Sequence, residues 1–204
     1  MAQNDKITEE KIFDAATDVF EEHGLSGARM QEIADRAGIN KALLHYYYRS
    51  KDRLFEAVFN RLAGKMFERF IGALDNEMSL QQKLEHFYHE HITFLQKHPK
   101  LPGFVLHEIN QNPERLLNAF GNERLQKIRN NLFAQLDAEI AAGHIAPIDK
   151  AQFLSNLLAL SVFPFAARNM LELVLQDTDF NFDDFINQRK TLLPEFMMNA
   201  VRAK

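Results

Sequence analysis

The chain has 204 residues, room for one compact unit or for a small domain joined to a larger one. Hydrophobic residues make up 46% and charged residues 25%, as in a globular protein with a proper core, and the lack of cysteine excludes a disulfide framework and a thiolate metal site. The net charge of −4 argues against a nucleic-acid partner until it is divided: residues 1–24 balance at −5, residues 25–55 at +3 and residues 56–204 at −2. The polar start MAQNDKITEE has no apolar core of the signal-peptide kind, and no uncharged apolar run approaches ~20 residues, so a cytoplasmic location without membrane association is expected.

Thr8 is placed to cap a first helix with Glu9 and Glu10 in its opening turn, a buried stripe of Ile12, Phe13, Ala16, Val19 and Phe20, and a stop at His23-Gly24. From Met30 the pattern changes to two short helices around a tight turn. Ile33, Ala34 and Ala37 are the apolar positions of the first, Gly38 turns the chain with positive φ, Ile39 plugs the turn, and Asn40 caps a second helix from Lys41 to Tyr47. Leu44 and Tyr48 share one face of it, whereas Lys41, Ala42, His45 and Tyr46 point elsewhere. This is a helix-turn-helix pattern over residues 29–48.

Ser50 caps a long helix from Lys51, with apolar positions through Leu54, Phe55, Val58, Phe59, Leu62, Met66, Phe67, Phe70, Ile71 and Leu74. A break at Asp75–Met78 is followed by the capping box Ser79-Leu80-Gln81-Gln82 and a helix to His98, ended by Pro99. A short helix is expected over 102–110, then one started by Asn112-Pro113, interruptible at Gly121 and ended at Ala142-Gly143. Asp149 opens an apolar helix to about Gln176, which Pro164 should kink, and Asn181 caps the last helix, which contains Pro194. No strand alternation or repeat interrupts the series, so the fold class is all-α.

The run IADRAGINKALLHYYYRSKDRLFEAV, some twenty residues past an amphipathic helix, resembles the DNA-binding domain of the tetracycline-repressor (TetR-like) family. Ile33-Ala34, Ala37-Gly38-Ile39, Tyr46-Tyr47-Tyr48 and Ser50-Lys51 carry the likeness. It implies an N-terminal three-helix helix-turn-helix DNA-binding domain over residues 6–66, followed by a larger helical effector-binding and dimerisation domain over 67–204. It also implies double-stranded DNA with a palindromic operator, a homodimer and an unidentified small-molecule effector as partners, with no cofactor and no metal. Where the family usually has a Thr at the start of the helix after the first, this chain has Ala28-Arg29-Met30, so Arg29 or Gln31 would supply the phosphate contact, with Ser26 the nearest hydroxyl. Where the family often has Gly-Thr-Leu-Tyr, this chain has Ala42-Leu43-Leu44-His45. His45 and Tyr47 are expected on phosphates, as is Lys51, with Tyr46 beside them. Lys41 and Asn40 are expected to donate to base edges, and Ala42 and Leu43 to touch a thymine methyl.

With 18 Phe in the chain, an effector pocket rich in aromatics is expected between residues 66 and 170. The candidates are Phe67, Phe70, Phe87, Tyr88, Phe104, Phe133 and Phe163, with His91, His107 and Arg168 as polar groups; the alternative for each ring is plain core. The helices from Asp149 and Asn181 have apolar surface to spare, which makes Phe163, Leu171, Val174, Leu192 and Phe196 candidates for a dimer face. A helical-bundle metalloenzyme is the competing class, prompted by Glu85-His86-Phe87-Tyr88-His89-Glu90-His91. However, a ferritin-like di-iron site uses Glu-x-x-His, and no His here has a Glu three residues before it. An architectural DNA-binding protein without ligand control is the third possibility. The expectation is a repressor, not an enzyme.

Overall fold

The structure, a computed structural model, describes residues 2–74 and 78–203, and the side chains of all of these except 2–5, 69–71 and 73. Among the described residues the chain forms eleven helices and no strand, with a single bridge between Ile145 and Arg202. The expected break at Asp75–Met78 falls, apart from Met78, outside the described residues. The chain divides into two compact units at Gly64, residues 1–64 and 65–204.

The first unit holds α1 (Ala2–Gly27), α2 (Met30–Ala37), α3 (Lys41–Tyr47) and the start of α4 (Lys51–Leu74). α1 begins before Thr8, so Thr8 lies inside the helix and does not cap it. The stop at Gly24 does appear, as a left-handed residue (φ 63°) that kinks the helix. The stripe Ile12, Ala16, Val19 and Phe20 is fully buried together with Ile33, Ala34, Leu44, Leu54, Phe55 and Val58. Phe20 and Phe55 meet edge to face at 5.0 Å, a geometry the ring quadrupoles favour. Arg61 closes the rim, with its guanidinium 3.9 Å from the centre of the Phe13 ring and an ion pair to Glu10 at 2.8 Å.

The second unit comprises the rest of α4, then α5 (Leu80–Lys97), α6 (Leu101–Gln111), α7 (Glu114–Phe120), α8 (Asn122–Ala141), α9 (Lys150–Ala166), α10 (Arg168–Val174) and α11 (Phe182–Val201). Its helix starts follow their caps. Ser79 and Gln82 form the reciprocal capping box, Asp149 accepts from the Gln152 N–H at 2.9 Å, and Asn181 accepts from the Asp184 N–H at 3.0 Å. α5 buries Leu84, Phe87, Tyr88, His91, Ile92 and Leu95, and packs chiefly on α11 and also on α9.

One expectation fails here. The predicted helix from Asp149 to about Gln176, kinked at Pro164, is two helices that diverge by 73° at Ala167, and Pro164 lies within regular α9. A proline inside a helix leaves the carbonyl four residues earlier without its donor. In this chain that carbonyl belongs to Leu160, and Arg189 of α11 donates to it at 2.8 Å. The replacement donor keeps the Pro164 turn helical. The chain departs only at Ala167 (φ −111°, ψ 23°), after which Arg168 lies over the Phe182 ring and bonds Glu172.

Candidate nucleic-acid interface and ligand cavity

The turn between α2 and α3 is fixed by its backbone. Gly38 takes φ 67°, which lets its N–H reach the Asp35 carbonyl at 3.1 Å and the Ile39 N–H reach Ala34 at 3.0 Å. Asn40 then sits in extended conformation and accepts from the Leu43 N–H at 2.8 Å, starting α3. Leu44 is the residue by which α3 is buried. That orientation leaves Lys41, Ala42, His45 and Tyr46 exposed, with Leu43 and Tyr47 half-buried; Tyr46 is 79% exposed and meets Tyr47 edge to face at 5.7 Å.

The basic excess is only partly available to a partner. Arg36 donates to Glu22 at 2.8 Å and to Glu32 at 2.7 Å, tying α2 to α1. Glu22, His23 and Glu32 place their ligand atoms within 4.8 Å of one another, as a metal site would, but Arg36 already meets both carboxylates. Lys51 is half-buried, and its ammonium is bound to the carbonyls of Ser26 (3.3 Å) and Ala28 (3.0 Å). It therefore satisfies backbone acceptors past the α1 kink, a role the sequence did not signal. Gln31 is exposed and donates to Asp35 at 2.8 Å. Besides the ion-paired Arg36, the exposed cations of this stretch are Arg29, Lys41, Arg49 and Arg53, the last two unassigned from sequence.

The second unit contains a cavity of about 500 Å³ lined from α4, α5, α6 and α9. Phe67, His91 and Phe163 of the expected pocket residues line it. The sequence missed Met66, Pro102, Val105, Leu106, Ile109, Ser155, Leu158, Ala159, Val162 and Ala166. Phe87, Tyr88 and Phe104 are instead buried in the packing, His107 is exposed, and Phe133 lies under the Lys150 ammonium at 5.6 Å. Arg168 lines a separate cavity of about 250 Å³ with Glu172 and Phe182, and the Phe70 side chain lies outside the described residues.

His91 is 3% exposed; its Nδ1 is 3.0 Å from the Ser161 hydroxyl, and its ring stacks on Phe87 at 5.1 Å. Burial pushes the imidazole down to about 4, so it is neutral near pH 7. Of the dimer candidates, Phe163, Val174, Leu192 and Phe196 are exposed and Leu171 is half-buried; Met170 and Leu173 extend the exposed apolar set on α10. Among the described residues no single helix is long and apolar enough to cross a membrane.

A profile of the family described as bacterial regulatory proteins, tetR family, matches residues 12–58, which hold α2, α3 and the turn between them. The chain is 40% identical over 60 residues to the HTH-type transcriptional repressor SCO4008 of Streptomyces coelicolor, a stretch covering 29% of this chain and 31% of that one. It is 22% identical over 146 residues to the nucleoid occlusion factor SlmA of Haemophilus influenzae, covering 65% and 67%. The chain thus spans about a third to two-thirds of the length of these relatives. In fold it is similar along its whole length to a TetR family transcription regulator from Marinobacter aquaeolei VT8, with a TM-score of 0.63, 17% identity and 100% of each chain covered. The motif and the profile agree: residues 12–58 carry a domain of the tetR family of bacterial regulatory proteins, and the fold along the whole chain is similar to that of a TetR family transcription regulator.

Proposed function

We propose that the chain is a sequence-specific DNA-binding transcriptional regulator, a repressor that holds a palindromic operator as a homodimer and leaves it when a small, mostly hydrophobic ligand enters the cavity of residues 65–204. The observation that carries the reading is α3. It is a seven-residue helix, capped by Asn40 and anchored by Leu44, that presents Lys41, Ala42, His45 and Tyr46 outward. Such a helix enters a major groove with its N-terminal residues on base edges and its flanks on phosphates. Lys41→Ala is expected to cost about 1–3 kcal/mol on the cognate operator and to relax one position. Tyr47→Phe should weaken cognate and random duplexes alike. Operator selection unchanged by Lys41→Ala would overturn the assignment of α3.

A dimer is needed to place two such helices about 34–36 Å apart on one face of the duplex. The exposed apolar side chains Phe163, Val174, Leu192 and Phe196 support α9 to α11 as its face. Leu171→Asp and Phe196→Asp should give monomers that lose operator binding, and sedimentation showing intact dimers of both would reject that face. Ligand release asks for a coupling of about 1–3 kcal/mol between cavity and operator. Met66 and Phe67 of α4 line the cavity, and the same helix starts at Lys51, four residues beyond α3.

The likeness to SlmA, a named nucleoid occlusion factor, favours a second reading in which DNA is bound without ligand control. A preference for one operator over random duplex below about 10³ would favour it.

A further inference from the structure

One side chain fastens the helix-turn-helix at both of its ends. Ala28 and Arg29 join α1 to α2, and Tyr48, Arg49 and Ser50 join α3 to α4, so residues 29–50 lie between Ala28 and Lys51. The Lys51 ammonium spans that gap, donating to the Ala28 carbonyl at 3.0 Å and to the Ser26 carbonyl at 3.3 Å. The last carbonyls of a helix have no donor within it, and a cation beside them meets the negative end of the helix dipole. Ser26 stands in the last turn of α1, which holds no basic residue of its own. Lys51 supplies that cation from 25 positions further along the chain. Ala28 is buried, so its carbonyl would be costly to leave unpaired.

The start of α4 is itself held, because the Ser50 hydroxyl accepts from the Arg53 N–H at 3.2 Å. Lys51 therefore ties a capped helix start to the entry of α2, and α2 carries α3 through the Gly38 turn. Leu44 is the residue by which α3 is buried, so its pose depends on how α2 and that turn are placed. Reading a base edge needs a side chain at hydrogen-bond distance from a fixed partner, whereas the attraction of cations to phosphates tolerates displacement.

We infer that Lys51 is a positioning residue for sequence reading: its ammonium sets where α2 and α3 stand against α1 and the start of α4, and operator selection depends on this pin rather than on a phosphate contact by Lys51. The inference rests on the DNA-binding reading of α3.

The test starts from the full-length parent protein, used to select from a duplex pool randomised over about two helical turns. The best-bound duplex and a scrambled version of it are then the probes. Lys51→Met keeps the aliphatic stem and removes the ammonium. With both proteins folded by circular dichroism, the variant's preference for the selected duplex over the scrambled one should fall about tenfold, the worth of one poorly met base pair. Its affinity for the scrambled duplex and its slope of log affinity on log salt should match the parent's. A slope lower by about one, with both duplexes weakened alike, would make Lys51 a phosphate contact and overturn the inference. An unchanged preference overturns it too. Acylation of the parent answers the same question where Lys51→Met does not fold. Lys51 should react more slowly than the exposed Lys41 in the free protein, and no more slowly once the selected duplex is bound. Lys51 reacting as fast as Lys41, or slowed by the duplex, overturns the inference. A parent that enriches no duplex removes the DNA-binding reading itself, and the positioning role with it.

Discussion

Within residues 1–64, the seven residues of α3 hold both kinds of information, Leu44 fully buried and Lys41, His45 and Tyr46 exposed beside it. The cavity of residues 65–204 draws instead on α4, α5, α6 and α9, so that His91 meets Ser161 across seventy positions of chain. A local site is specified by helical period and caps, since whatever the core does not take is left outward. A distributed site is specified by which neighbours fail to fill a space, and no short window of sequence contains that. The two units should therefore respond to different classes of substitution.

Leu44→Ala should produce the largest effect. Leu44 is 0% exposed and is the buried residue of α3, so its loss should destabilise the N-terminal unit by about 2–5 kcal/mol in denaturant titration. Helicity of residues 65–204 should persist under conditions where operator binding has gone. A cost below about 1 kcal/mol would mean that α3 is held by something other than this side chain.

The matching test in the second unit is acid. His91 protonates near 6.5 when unfolded and at about 4 in the folded protein, where burial disfavours the charged ring. Between those values the unfolded state binds the extra proton, so stability is full above pH 6.5 and falls as the pH drops towards 4. At ~1.4 kcal/mol per pH unit this amounts to about 3 kcal/mol. Denaturant titrations at pH 7 and 4.5 should show a smaller acid loss in His91→Leu than in the parent. Identical losses would show that His91 does not stay neutral when buried.

The legibility of the chain divides in the same way. Helix starts at Asn40, Ser79, Asp149 and Asn181 were readable because each cap closes on a backbone N–H three residues away. The α9–α10 break was misplaced because the partner that rescues Pro164, Arg189, lies in another helix. The contact of the Lys51 ammonium with the carbonyls of Ser26 and Ala28 is not legible in the sequence, because charge alone does not reveal a backbone contact 25 positions back. Of the aromatic set, Phe67 and Phe163 line the cavity whereas Phe87 and Tyr88 fill core. Periodicity says only that a ring faces inward, and both places are inward.

Arg189 allows that non-local dependence to be measured. Arg189→Leu leaves the Leu160 carbonyl without a donor and should cost about 1–3 kcal/mol. Pro164→Ala supplies the missing N–H from within α9, so Arg189→Leu should cost clearly less in that background. Additive costs in the double-mutant cycle would deny that the guanidinium stands in for the backbone donor.

The smallest effect, and the one closest to DNA, concerns Asn40. Its Oδ1 is committed to the Leu43 N–H at 2.8 Å, while the amide nitrogen of the same side chain is a donor that could face a base edge. Asn40→Ala should cost about 1 kcal/mol of stability, and Asn40→Ser, an equally good cap, should restore that to within a few tenths. Operator affinity should separate the two roles, because serine replaces the capping oxygen but not the amide. If the amide contacts the operator, Asn40→Ser will melt like the parent and bind DNA like Asn40→Ala. If Asn40→Ser recovers both stability and operator binding, Asn40 serves α3 as a cap alone, and the outward face of the helix begins at Lys41.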